Sequence, residues 1–440
     1  MTAPDGMAQL IVEAGFAPAA PGLSSGVLIL DDPVAGHLDT GTLADADTWT
    51  DISAPLAQSL TITRSSTREQ GPVITYEGGT ATAVLDNSDA RFTPENLAGP
   101  YVAAGITQVR PMIPVRARAT WAGVTYPLFR GFAQSWDPGE DQGPDYATVT
   151  LNAADGFLVL AGTTLPAAGA VGAGELSGAR VQRILAAAGW YAAARGMSVV
   201  SAGNSAMQAT TLGAPALDLL QLTAASEIGA VYVDETGSLT FRGRHDVLTD
   251  PRSSTVQAVF GDRPGTVQAA GTEMYYSAVS VPPADLTIAN DIQATRAGGT
   301  LQEVTDAASV TRYLFRRTYS RSDLILTSDA EALSWAQYVA WIAAAGNPEF
   351  DSVTLIPSAD PVSLWPLALG LRTGDRIQVW RRLPGMASPI TRDCLIRGIT
   401  HVIGAGTWET TFALQDASRY SFLTLDSPAL GQLDMNALAF

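Results

Sequence analysis

The sequence predicts a mainly β protein of the α+β class. It places a β-barrel or sandwich at residues 59–160, a small α/β insert at 161–250 and a second barrel-type domain at 251–420. Three observations carry this. Apolar side chains fall two apart in short runs, which puts them on one face of a strand. Those runs are punctuated by Gly, Pro, Asn and Asp, the residues that build turns. Helical spacing, by contrast, is confined to the 161–250 stretch and one later segment. With 440 residues, 46% of them apolar, the chain has material for two or three real cores.

Residues 1–58 form an N-terminal arm, rich in Pro, Gly and Ala around a few apolar islands. Trp49-Thr50-Asp51-Ile52 leads out of it as the first strand of the first domain. Leu60-Thr61-Ile62-Thr63 and Thr80–Leu85 then alternate, and the second run stops at Asp86-Asn87-Ser88-Asp89, a turn-forming cluster. Pro114–Trp121, a break at Ala122-Gly123 and Val124–Trp136 predict a hairpin. The stretch YATVTLNAADGF, residues 146–157, supplies a closing strand with a turn at Asp155-Gly156, and residues 161–174 form a Gly/Ala/Pro linker.

The insert begins with a helix capped by Ser177, with Val181, Ile184, Leu185 and Ala188 at helical spacing and Gly189 ending it. A second helix opens at Pro215, a favoured first-turn residue. Residues 230–244 predict a hairpin turning at Asp234-Glu235-Thr236-Gly237. In the second barrel-type domain Ser328-Asp329-Ala330-Glu331 reads as a capping box, since Ser and Glu three apart satisfy each other's free backbone donors. Its helix ends at Gly346-Asn347-Pro348. Four strand-like runs follow, at 350–356, 374–380, 393–403 and 408–415.

The two ends of the chain repeat one another. Residues 27–44 read VLILDDPVAGHLDTGTLA and residues 422–439 read FLTLDSPALGQLDMNALA. Half of the aligned positions are identical, against about one or two expected by chance. The shared residues include Leu28, Leu30, Asp31, Pro33, Gly36, Leu38 and Asp39 at one end. At the other they are Leu423, Leu425, Asp426, Pro428, Gly431, Leu433 and Asp434. Leu at alternate positions suits a strand added to a sheet edge, so the repeat, with its second copy at 421–440, predicts one docking element used twice. The plainer reading is that each copy packs on its own domain.

Composition excludes several functions. A net charge of -17 disfavours a phosphate-binding surface and electrostatic docking on anionic lipid, so stable membrane binding is not expected. All 26 basic residues are Arg, which removes any Schiff-base or P-loop lysine. Cys394 is the single cysteine, so there is no intramolecular disulfide and no Cys-based metal cage. Within a strand it reads as a small buried hydrophobe. The N-terminus lacks a basic region of the secretory type, and the longest apolar run is too short to span a bilayer. Synthesis in the cytoplasm and solubility until assembly are the expectation.

No chemical motif survives inspection. Gly22-Leu23-Ser24-Ser25-Gly26 matches G-x-S-x-G but lacks the strand before and the helix after. Gly172-Ala173-Gly174 has no third glycine, because Ser177 stands there. The oxygens of Asp86–Asp89 fail the EF-hand register at Ala90, Arg91 and Leu97. His37, His245 and His401 stand alone, with no second His at metal spacing, and His401 reads as a hydrogen-bonded structural residue. The nine Trp suit core or interface filling better than carbohydrate stacking. No catalytic residue, metal or cofactor is expected. A glycosidase using carboxylates alone stays open, because Asp and Glu are abundant.

The phrases LTITR, GTATAVLDNSDARFTPENLAGPY and VRPMIPVRARATWAGVTYPLFRGFAQSW come in an order that resembles the minor tail proteins of long-tailed bacteriophages infecting actinobacteria. Within that group the chain looks like the baseplate hub, or tail-associated, class. GAVYVD with a later FR, ANDIQATRAGG, LGLRTGDRIQVWRR and GITHVIGAGTWETTFAL extend the resemblance through most of the chain. It implies two pseudo-equivalent β-barrels of the tail-hub type, so that a homotrimer offers six similar surfaces and adapts a six-fold tube to a three-fold tip. It implies a structural virion protein at the tail tip. Its partners would be the distal tail or tail tube protein, the tape-measure protein and the tip or receptor-binding proteins, with DNA only passing through a channel. The acidic charge would keep that DNA from the wall. A hexameric distal tail protein is the alternative. A cell-wall or carbohydrate-active tail enzyme and a host-binding module are weaker ones.

Overall fold

The computed structural model describes residues 6–16, 49–64, 66–68, 72–103, 105–139, 146–190, 197–281, 288–344 and 350–417. The chain is mainly β and divides into two compact units, both discontinuous in sequence. The first takes 1–62, 80–155 and 402–407; the second takes 63–79, 156–401 and 408–440.

In the first unit the strands lie in the order Leu56–Arg64, Thr80–Asp86, Thr148–Ala154, Val124–Gly139, Pro114–Trp121, Gln9–Ala14 and Thr50–Asp51. Alternation sets the buried face: Ala81, Ala83 and Leu85 on one strand meet Val149, Leu151 and Ala153 on the next. The predicted hairpin is present, with Val124 opposite Trp121. Its two turn residues both take positive φ, Ala122 at 47° and Gly123 at 81°, the backbone a tight type I′ turn requires. The turn at Asp86–Asp89 is also present. Asn87 closes it by accepting from the Phe92 amide at 2.8 Å and donating to the Thr93 hydroxyl at 3.0 Å. Gly131 is required by packing, since a Cβ there would stand 2.2 Å from the Ala154 carbonyl oxygen.

Among the described residues the second unit holds three large cores and a small cluster of Tyr338, Leu395 and Ala417. Residues 157–242 form an α/β layer in which helices Ser177–Ala187 and Ala216–Glu227 cover a three-stranded sheet. Val181, Ile184, Leu185, Trp190, Leu220 and Phe241 fill it. A second core, built on Phe260, Val353, Ile377, Val379, Cys394 and Phe412, lies among strands 256–261, 352–355, 376–381, 390–404 and 407–416. The third joins strands Asp291–Arg296, Gln302–Thr305 and Thr318–Leu324 to helix Asp329–Ala343. Its centre is Trp335, whose indole N–H donates to the Ala225 carbonyl at 3.0 Å. The Ser328 capping box starts that helix as predicted.

Three sequence expectations are corrected. Ser177 does not cap its helix; it is the first helical residue, and its hydroxyl donates to Glu227 at 3.0 Å. The 161–174 linker contains a strand, Ala167–Val171, paired with Thr210–Leu212. Span 251–420 carries more helix than the one predicted: Pro361–Gly370 is a second substantial helix, opened by Asp360, whose carboxylate accepts from the Ser363 amide. The described strands form open sheets, and no pairing among them closes a ring. No described helix is long and apolar enough to cross a membrane.

Candidate docking cleft

The residues singled out in the terminal repeat, Leu28 to Asp39 and Leu423 to Asp434, lie outside the described residues. So do His37 and the Gly22–Gly26 motif. Cys394 is buried in its strand, within the second core. Among the described residues no group of three His, Cys, Asp or Glu side chains could hold a metal ion. Four Trp, at 190, 335, 365 and 408, are core residues with almost no exposure.

His401 is a structural histidine. It is buried, its Nδ1 lies 3.0 Å from the Thr410 hydroxyl, and the Trp408 indole N–H donates to the same nitrogen at 3.4 Å. Burial pushes its pKa down to about 3, and the charge of Arg64 adds to this.

What the sequence did not disclose is a cleft in the second unit, with a cavity volume near 110 Å³. Segments far apart in the chain build it. Ile74 and Tyr76 come from one strand, Ile228 from the end of helix 216–227, Ala230 from the start of strand 230–233, and Arg242 and Arg244 from the end of strand 239–242 and the turn beyond. Tyr338 and Ile342 come from helix 329–343, Leu395 and Arg397 from strand 390–404, and Gln415 from the final strand. Three guanidinium groups line it and no carboxylate does, in a chain whose net charge is -17. The remaining walls are mostly aliphatic or aromatic, with Ser253 and Gln415 as uncharged polar residues.

Each arginine is anchored by an acid that is not part of the lining. Arg242 pairs with Asp250 at 2.9 Å and Arg397 with Asp351 at 2.6 Å. Arg244 donates to the Ser205 hydroxyl at 2.9 Å and lies 3.9 Å from Glu227. Its Nε is buried with no acceptor among the described residues. Gly374 lets Arg242 lie close, since a Cβ there would sit 2.9 Å from the guanidinium. The rings of Tyr76 and Tyr232, both in the lining, lie 5.2 Å apart. Burial raises both phenols, Tyr76 to about 12, although Arg242 pulls each the other way.

Glu227 organises one wall. It is fully buried and accepts from Ser177 Oγ at 3.0 Å, from the Asn204 and Ser205 amides at 3.0 and 2.7 Å, and from the Arg244 amide at 3.4 Å. Four donors therefore satisfy a carboxylate whose burial would otherwise be costly. The next residue, Ile228, ends the helix at φ 57°, a region β-branched residues avoid. Gly229 follows because a Cβ there would lie 2.5 Å from the Arg242 carbonyl oxygen.

The lining sets three guanidinium groups beside apolar surface and, among the described residues, holds no carboxylate.

Neither a protein-family model nor a curated protein matches the chain. Solved structures do share its fold, two tail proteins among them. The 43 kDa tail protein of prophage MuSo2 from Shewanella oneidensis is similar over 84% of this chain and 95% of its own, with a TM-score of 0.50 and 13% identity. A tail protein from Neisseria meningitidis MC58 is similar over 84% of this chain and 94% of its own, with a TM-score of 0.52 and 12% identity. The chain thus has the fold of these two tail proteins.

Proposed function

We propose that this chain is a structural minor tail protein of a long-tailed bacteriophage with an actinobacterial host, forming the hub ring at the tail tip. The observation that carries the reading is the shared fold: it runs through 84% of this chain and nearly the whole length of two tail proteins. The absence of any lysine, and the failure of every catalytic motif in the sequence, favour a structural role over an enzymatic one.

In this reading the chain is a homotrimer whose two barrel-type domains act as pseudo-equivalent subunits. It connects the tail tube or distal tail protein to tip and receptor-binding proteins and surrounds the exit channel used by the tape-measure protein and DNA. The repeated end motifs dock on neighbouring surfaces. Copy number per purified virion, measured by quantitative mass spectrometry against the tube protein, tests it. Three copies fit the hub. Six would move the chain to a hexameric distal tail ring, and none would sink the virion reading.

A further inference from the structure

We propose that the arginine-lined cleft of the second unit receives the C-terminal copy of the repeated motif from the same chain, Leu425 against its apolar walls and Asp426 against its guanidinium groups. This rests on reading the repeat as a docking element. It adds a receiving site, which the sequence alone could not supply.

Charge complementarity is the first argument. The lining presents Arg242, Arg244 and Arg397, with their partner acids Asp250, Glu227 and Asp351 outside it, while the motif presents Asp426 and Asp434 and no base. Apolar character is the second. The motif alternates Leu423 and Leu425 and continues to Pro428 and Leu433, and the walls that meet it are Ile74, Ile228 and Ile342. A cavity of 110 Å³ holds one or two side chains, not a folded domain.

The third argument is where the described chain ends. Gln415 lines the cleft, and Ala417, the last described residue, is buried beside Tyr338 and Leu395, which line it too. Only ten residues separate Gln415 from Asp426. Extended chain covers up to about 3.5 Å per residue, so reach is not limiting. A tether this short also holds the motif at roughly millimolar effective concentration, so a weak intrinsic affinity is enough to fill the site. The N-terminal copy has the same Leu-Asp-x-Pro register, but the described residues that flank it, up to Phe16 and from Trp49 to Arg64, are not in the lining.

Amide hydrogen exchange on the full chain tests the proposal. The wild type is compared with the full-length Leu425→Ser/Asp426→Arg variant, reading segments 228–232, 242–247 and 395–397. Exchange there should be about ten-fold slower in the wild type, while the 114–136 hairpin stays unchanged as an internal control for folding. Adding a synthetic peptide of residues 421–440 to the variant should restore protection saturably, and less so in high salt. The peptide carrying both substitutions should not restore it.

Equal exchange in the two chains, with no protection from the peptide, overturns the proposal. Protection that depends on protein concentration over a hundred-fold range would assign the site to a neighbouring copy and overturn docking within the chain. Protection by a 27–44 peptide alone would assign it to the other copy. Virion incorporation separates this from the underlying reading. A variant that fails to enter tails although its cleft exchange is unaltered keeps the docking element and discards this site. A variant with an exposed cleft that still enters tails keeps the site and discards the assembly role.

Discussion

Replacing His401 by glutamine should remove a pH dependence that the wild-type fold carries between neutrality and pH 5. His401 is buried, and its pKa falls from 6.5 to about 3 chiefly through desolvation. The folded state therefore binds its proton more weakly than the unfolded chain does. The stability this contributes is fully present above pH 6.5 and is lost progressively as pH falls towards 3. The slope is about 1.4 kcal/mol per pH unit once the unfolded histidine is protonated, so roughly 2 kcal/mol is lost between pH 7.5 and pH 5. Glutamine keeps an acceptor for the Trp408 indole and Thr410 hydroxyl and does not titrate. The assay is urea denaturation at pH 7.5, 6 and 5, with native-state amide exchange over residues 399–412 as the local reading. The wild type's advantage over His401→Gln should shrink by about 2 kcal/mol across that range. His245, whose pKa is also lowered by burial and by Arg244, is present in both chains and cancels. Asp291 is pushed up by burial, but hydrogen bonds from Arg316, Thr318 and Thr305 outweigh this and hold it at about 2, so it titrates below the window. A difference that stays constant from pH 7.5 to 5 would refute the claim that His401 is buried neutral.

Two further substitutions test the architecture. Glu227→Ala strands the Ser177 hydroxyl and three backbone amides and leaves Arg244 without its nearby acid, so it should cost about 3–5 kcal/mol in urea denaturation, with Glu227→Gln recovering part. Ser328→Ala removes one half of the capping box and should cost about 1 kcal/mol, seen as faster amide exchange in the first turn of helix 329–343.

Local chemistry made much of the fold legible. The 114–136 hairpin was readable because alternation and an Ala-Gly break are both short-range signals, and the helix at 329 because Ser328 and Glu331 sit at the spacing the cap needs. The strand at Ala167–Val171 was not readable. Its alanines and glycine have no β propensity, and its pairing with Thr210–Leu212 supplies what its side chains do not. Ser177 was misread because capping residues are recognised by type, whereas its actual partner, Glu227, lies fifty residues on. Glu227 itself looks like any polar residue near a helix end. The cleft was invisible for the same reason on a larger scale: Tyr76, Arg242, Tyr338 and Arg397 share no local pattern and meet only through tertiary packing.

The discontinuity of the two units bears on how this protein is made. The first unit includes residues 402–407, and the second includes 63–79. Neither is therefore a contiguous fragment, and a clone cut after residue 155 would lack a piece of the one and carry a piece of the other. During synthesis the first unit has to wait until residue 407 has left the ribosome before it is complete. Loop closure across residues 156–401 is slow by comparison with local hairpins and helices. Until then the alternating strands at 80–86, 114–121 and 148–154 stand as an unfinished sheet, the kind of intermediate that pairs with other nascent chains. Expression at low temperature, or alongside a chaperone, should therefore raise soluble yield more than any surface substitution.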